Sequence, residues 1–93
     1  MAHLYVGLDV HRVTTSAAVL SGAGKVIVDS TIETKASTLL DFIRGLSGIV
    51  HLALEEGTQA AWLYDLLKPQ VAQIIVCDPR QNRLLQSGDK HGL

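Results

Sequence analysis

Asp9 sits inside a short run of strand-favouring residues, Leu4-Tyr5-Val6-Gly7-Leu8-Asp9-Val10. A carboxylate there is costly to bury unless a cation or a hydrogen-bond partner compensates it. Gly7 lies two residues upstream, on the same face because strand side chains alternate, and leaves room for a ligand or another backbone. Two more apolar runs end in acid: Ile49-Val50-His51-Leu52-Ala53-Leu54 runs into Glu55 and Glu56, and Gln73-Ile74-Ile75-Val76-Cys77 runs into Asp78. Carboxylates brought together repel, and hard divalent cations bound through oxygen relieve that repulsion. Two such ions about 3.5–4 Å apart can activate a nucleophile and stabilise the leaving oxygen of a phosphodiester. The plainer alternative is a set of separate solvated charges at strand ends.

Strand parity puts His51, Ala53 and Glu55 on one face and Leu52, Leu54 and Glu56 on the other. The strand could end before Glu56, so parity alone leaves both glutamates as candidates. His51 reads as structural, whereas His11, polar and close to Asp9, could line a site. Trp62 and Tyr64 read as packing residues rather than stacking platforms. Arg80, Arg83 and Lys90 are the clustered cations, able to meet phosphate or simply to solvate the last segment.

The elements that must position these groups follow from periodicity and turn chemistry. Val13 to Leu20 suits a second strand, Ser21-Gly22-Ala23-Gly24 a tight turn, and Lys25 to Ile32 a third strand. Three strands joined by short loops imply an antiparallel meander. Ser37 or Thr38 is expected to cap a helix through about residue 46, with Leu39, Leu40, Phe42, Ile43 and Leu46 on its inner side. The nearly all-apolar strand 49–55 suits an interior parallel position. Thr58 is expected to cap a second helix over 58–67, with Ala60, Ala61, Leu63, Tyr64 and Leu67 inward, stopped by Lys68-Pro69. A fifth strand covers Gln73 to Asp78. Right-handed crossovers then place strand four beside strand one and strand five beyond it. The expected fold is α/β, a ribonuclease H-like mixed five-stranded sheet of order 3-2-1-4-5 with flanking helices. A dinucleotide-binding fold fits less well, because no Gly-rich turn leads from the first strand into a helix.

The bulk composition narrows the partners. At 93 residues the chain makes one small domain, which buries only about two-thirds of its unfolded surface. Yet 47% of its residues are hydrophobic, only 18% are charged, and the mean hydropathy is +0.25. That is more apolar surface than so short a chain hides easily, which points to a partner, a homo-oligomer or a missing companion segment. A net charge of −1 makes no basic footprint for nucleic acid, so metal ions or other segments would have to supply the positive charge. The single cysteine, Cys77, excludes an internal disulfide framework and reads as a small buried hydrophobe. No apolar run approaches membrane-span length and no signal-peptide pattern opens the chain, so the expectation is a cytoplasmic protein without membrane contact.

Four motifs in order carry a family resemblance: Tyr-Val-Gly-Leu-Asp-Val-His at 5–11, Leu-Ala-Leu-Glu-Glu-Gly-Thr at 52–58, Trp-Leu-Tyr-Asp-Leu-Leu at 62–67 and Val-Cys-Asp-Pro-Arg-Gln-Asn at 76–82. Together they resemble the N-terminal domain of the DEDD insertion-sequence transposases, the IS-one-ten family, over essentially the whole chain. The resemblance implies a RuvC-like catalytic domain that recombines DNA with Mg2+, guided in that family by a structured RNA. The family's first acidic residue falls on Asp9 and its second on Glu55, with Glu56 in the neighbouring slot. Its last two aspartates follow a Gly-x-Lys element matched by Gly88-Asp89-Lys90. Gly92 stands where the third acid is expected, and the 93 residues end before the fourth. Asp78 is not one of the four. The expectation is therefore a C-terminally truncated transposase domain over 1–93, inactive by itself, holding metal weakly through Asp9, Glu55 or Glu56 and self-associating.

Two other readings are distinguishable. An actin-like or sugar-kinase ATP-binding half shares the strand topology, but its first strand runs directly into a Gly-Thr-Thr/Ser phosphate turn; here His11-Arg12-Val13 precede Thr14-Thr15-Ser16. A non-enzymatic ribonuclease H-like module for dimerisation or partner binding fits the missing acids.

Overall fold

In the computed structural model, which describes residues 1–55 and 57–77, the chain folds as β1 (His3–Val10), β2 (Thr14–Ser21), β3 (Val26–Glu33), α1 (Ala36–Arg44), β4 (Ile49–Glu55), α2 (Ala60–Leu67), a 3-10 turn at Lys68–Gln70, and β5 (Gln73–Cys77). The five strands form one sheet of order β3-β2-β1-β4-β5. The pairs β1–β2 and β2–β3 are antiparallel, while β1–β4 and β4–β5 are parallel. This is the mixed sheet expected from the short early turns and the later crossovers.

The alternation of burial along each strand shows which face is covered. Leu4, Val6 and Leu8 of β1, Ala17 and Val19 of β2, and Val50, Leu52 and Leu54 of β4 are buried and point to one side. They pack with Leu39 and Ile43 of α1 and Leu63 and Leu67 of α2 in a single core. Each fully buried Leu or Ile contributes about 1.5–3 kcal/mol relative to an exposed one. Both helices therefore lie on the same face of the sheet.

The helix starts differ from expectation. Helix α1 begins at Ala36 with Lys35 at its N-cap, and α2 begins at Ala60 with Gln59 there; neither N-cap side chain makes a capping hydrogen bond. Ser37, Thr38 and Thr58 are therefore not the caps, and packing of the apolar stripe holds these short helices. Helix α1 ends at Arg44 with Gly45 as its C-cap, two residues short of the expected end. Ala61 is exposed rather than inward, and Trp62, also exposed, donates its indole N–H to Gln59 Oε1. Tyr64 is half-buried with the Lys68 ammonium 5.2 Å from its ring centre.

Gly48 is required by its surroundings. Its φ of +154° lies outside the usual L-residue region, and a Cβ there would stand 2.7 Å from the Ala2 carbonyl oxygen. The close approach lets the Ile49 N–H donate to that same carbonyl at 2.8 Å, which sets the start of β4 beside β1.

Candidate functional site: the open face of the sheet

The face opposite the helices is ordered in rows by strand register. One row reads Leu20, Tyr5, His51 and Gln73 across β2, β1, β4 and β5. The next reads Asp29, Ala18, Gly7, Ala53 and Ile75. The third reads Thr31, Ser16 and Asp9 on one side, with Glu55 and Cys77 paired on the other. Asp9 and Glu55 each follow the last paired residues of β1 and β4, Leu8 and Leu54. They are level on adjacent parallel strands, which run about 4.8 Å apart.

Small residues in the middle row make a trough. Gly7, Ala18 and Ala53 floor an open depression of about 450 Å³, whose walls carry Asp9, Glu55, Asp29, Ser16 and Cys77. Among the described residues, a Cβ at Gly7 would meet nothing within 4 Å, which leaves the room above β1 that the spacing to Asp9 suggested.

Asp9 is held from the side. The His11 Nε2 atom lies 3.2 Å from Asp9 Oδ2, with the two side chains 66% and 55% exposed. So exposed a pair adds little stability; its effect is orientation. The turn that carries His11 is pinned by a chain of hydroxyls. Thr34 Oγ1 donates to the His11 carbonyl at 2.6 Å, so the Thr15 hydroxyl, fully buried and 2.8 Å away, must donate to Thr34. The His11 N–H meanwhile donates to the Thr14 carbonyl at 2.9 Å, closing the β1–β2 hairpin.

The sequence-derived candidates separate as follows. Asp9 and Glu55 come together on one depression, with His11 bonded to Asp9. Glu56, Asp78, Arg80, Arg83, Lys90 and the Gly88-Asp89-Lys90 element lie outside the described residues. Cys77 is half-buried in the wall of the depression, not a core hydrophobe, because β5 is an edge strand and Cys77 lies on its open side. Asp29 was missed. Its signal was a lone carboxylate within the third strand, but only the register, Asp29 opposite Ala18 opposite Gly7, brings it to the depression.

The donor chemistry suits a hard cation. Asp9 and Glu55 offer carboxylate oxygens open to water, and Mg2+ keeps several waters while taking one or two carboxylates. Among the described residues, no three His, Cys, Asp or Glu gather closely enough to make a larger ligand set. Likewise among the described residues, no helix is long and apolar enough to cross a membrane.

Comparison with known proteins adds no identification: no protein-family model matches the chain, and no curated protein matches it.

Proposed function

We propose that this chain is the ribonuclease H-like N-terminal domain of a DEDD-type transposase, acting on DNA through metal-dependent phosphoryl transfer. The observation that carries the reading is the level placement of Asp9 and Glu55 on adjacent parallel strands, facing one depression floored by Gly7. The sheet order, with β1 central and β4 parallel to it, is the layout the sequence resemblance calls for. In this reading Asp9 and Glu55 hold Mg2+, and His11 positions Asp9 through its Nε2 contact. Bound there, the ion would supply charge neutralisation and Lewis-acid activation at a phosphodiester. Gly7, Ala18 and Ala53 leave the trough low enough for a sugar–phosphate backbone to approach the carboxylates. Glu56 is the alternative metal-holding residue, and Arg80, Arg83 and Lys90 are the proposed phosphate contacts.

Only two of the family's four acidic positions are filled within residues 1–93, Gly92 standing at the third. These residues by themselves are therefore proposed to bind metal weakly and not to cut DNA. A guide RNA, a homo-oligomer and a cytoplasmic location belong to the same proposal.

The test is fluorescence anisotropy of a labelled branched DNA with the 93-residue chain, in Mg2+ and in chelator. Binding that needs Mg2+ and is lost in Asp9→Ala supports the transposase reading. Binding indifferent to both, or none at all, overturns it in favour of a partner-binding module. Saturable ATP binding would favour the kinase-like reading instead.

A further inference from the structure

At the end of the open face away from Asp9, two imidazoles from different strands meet. His3 Nδ1 lies 2.8 Å from His51 Nε2, and His51 Nδ1 lies 2.8 Å from Gln73 Oε1. The ring planes of the two histidines are only 24° apart and their centroids 5.1 Å, the length of one nitrogen–nitrogen bond plus two ring radii. The rings are thus edge to edge, with the facing nitrogen lone-pair directions in their planes. On its other side the His51 ring is stacked on Tyr5, with centroids 4.8 Å apart and planes 14° apart.

The hydrogen bonds fix the tautomer. Gln73 Oε1 can only accept, so His51 Nδ1 carries a proton, and in the neutral ring the Nε2 lone pair accepts the His3 Nδ1–H. An imidazole whose far N–H is anchored on a carbonyl, leaving the other nitrogen unprotonated, is the arrangement that orients histidine ligands on metals. His3 is exposed, so its ring is free to turn.

We infer that His3 and His51 form a two-imidazole site for a borderline transition-metal ion such as Zn2+, joining β1 to β4. Two nitrogens 2.0–2.1 Å from a tetrahedral Zn2+ stand about 3.3 Å apart, against 2.8 Å here, so the exposed His3 ring has to turn aside to bring its Nδ1 lone pair onto an ion held by His51 Nε2. On binding, His3 moves its Nδ1 proton to Nε2, so neutral imidazole is retained and no net proton is released. Water completes the coordination. Among the described residues, the neighbouring hollow is lined by Tyr5, His51, Ala53, Gln73 and Ile75 among others and by no carboxylate, a set of donors that suits imidazole-seeking ions better than Mg2+. His3 and Asp9 are six residues apart along β1, roughly 20 Å, so this site is independent of the carboxylate pair and of the function proposed for it.

The experiment is titration of ZnCl2 into the 93-residue chain, followed by calorimetry and by imidazole nitrogen NMR. The expected result is one equivalent of zinc, with large shifts at His3 Nδ1 and His51 Nε2 and none at His11. Affinity should fall at least tenfold in His3→Ala and His51→Ala, and about tenfold in Gln73→Leu, which removes only the orienting carbonyl. Asp9→Ala should bind zinc unchanged. If a histidine variant fails to fold, the nitrogen shifts of the unaltered chain still decide the matter. Shifts confined to His11, or no zinc bound at sub-millimolar concentration, overturn the site.

Discussion

Asp9 and Glu55 lie side by side on parallel strands β1 and β4, one residue beyond the pair Leu8 and Leu54 and on the face that neither helix covers. Both side chains are exposed, and His11 bonds to Asp9 from the side. Neither carboxylate is part of the core, and a cation bound between them would neutralise both charges.

It follows that neutralising either residue should not weaken the fold. Asp9→Asn and Glu55→Gln are expected to leave unfolding stability in metal-free buffer within about 0.5 kcal/mol of the unaltered chain, or slightly above it. Any rise in melting temperature on adding Mg2+ should disappear in both. Paired thermal melts with Mg2+ and with chelator check this. A loss of several degrees without metal would mean that the carboxylates hold the fold together.

Much of this arrangement was legible in the residues. The alternation Leu4, Val6, Leu8 against Tyr5, Gly7, Asp9 gives the two faces of β1 directly, and the run 49–55 gives an interior strand whose last residue shares the parity of His51. Strand order followed from the short early loops and the two helical crossovers. The helix caps were not legible, because Ser37, Thr38 and Thr58 have good capping chemistry but the chain enters each helix at a neighbouring position. Asp29 and Cys77 were missed as site residues for a different reason. Their approach to Asp9 depends on register across two or three strands, which local sequence does not encode.

The hydroxyl chain that pins the His11 turn gives a second prediction. Thr34→Val removes the donor to the His11 carbonyl and the acceptor for the buried Thr15 hydroxyl. The expected loss is about 1–3 kcal/mol in urea unfolding, mostly from leaving Thr15 unpaired. Backbone amide exchange at residues 11–14 should quicken at the same time. An unchanged midpoint would show that the turn is held by its backbone bonds alone.

Gly48 provides a test of the β1–β4 register. Gly48→Ala forces a Cβ toward the Ala2 carbonyl and an unfavourable φ, at an expected cost of about 1–3 kcal/mol. Gly7→Ala, where a Cβ meets open space, should cost far less. Urea unfolding of the two variants side by side measures the contrast; equal costs would contradict the register.

The open face also carries Tyr5, 46% exposed, and Ile75, 50% exposed. Exposed apolar residues on a sheet face favour association, and two-fold pairing is its commonest form. Sedimentation at tens of micromolar should show a dimer that Ile75→Lys converts to a folded monomer. A monomeric unaltered chain would rule out this association.

The most direct test of the central claim is to ask where a hard divalent cation sits. Mn2+, a paramagnetic stand-in for Mg2+, added in substoichiometric amounts to the 15N-labelled chain, should broaden the amide signals around Asp9 and Glu55 first. Excess Mg2+ should restore those signals, and Asp9→Asn should abolish the effect. Broadening centred on the exposed acids Asp41 and Asp65 of the helices instead, or spread evenly over the chain, would contradict the assignment of Asp9 and Glu55 as a metal-holding pair.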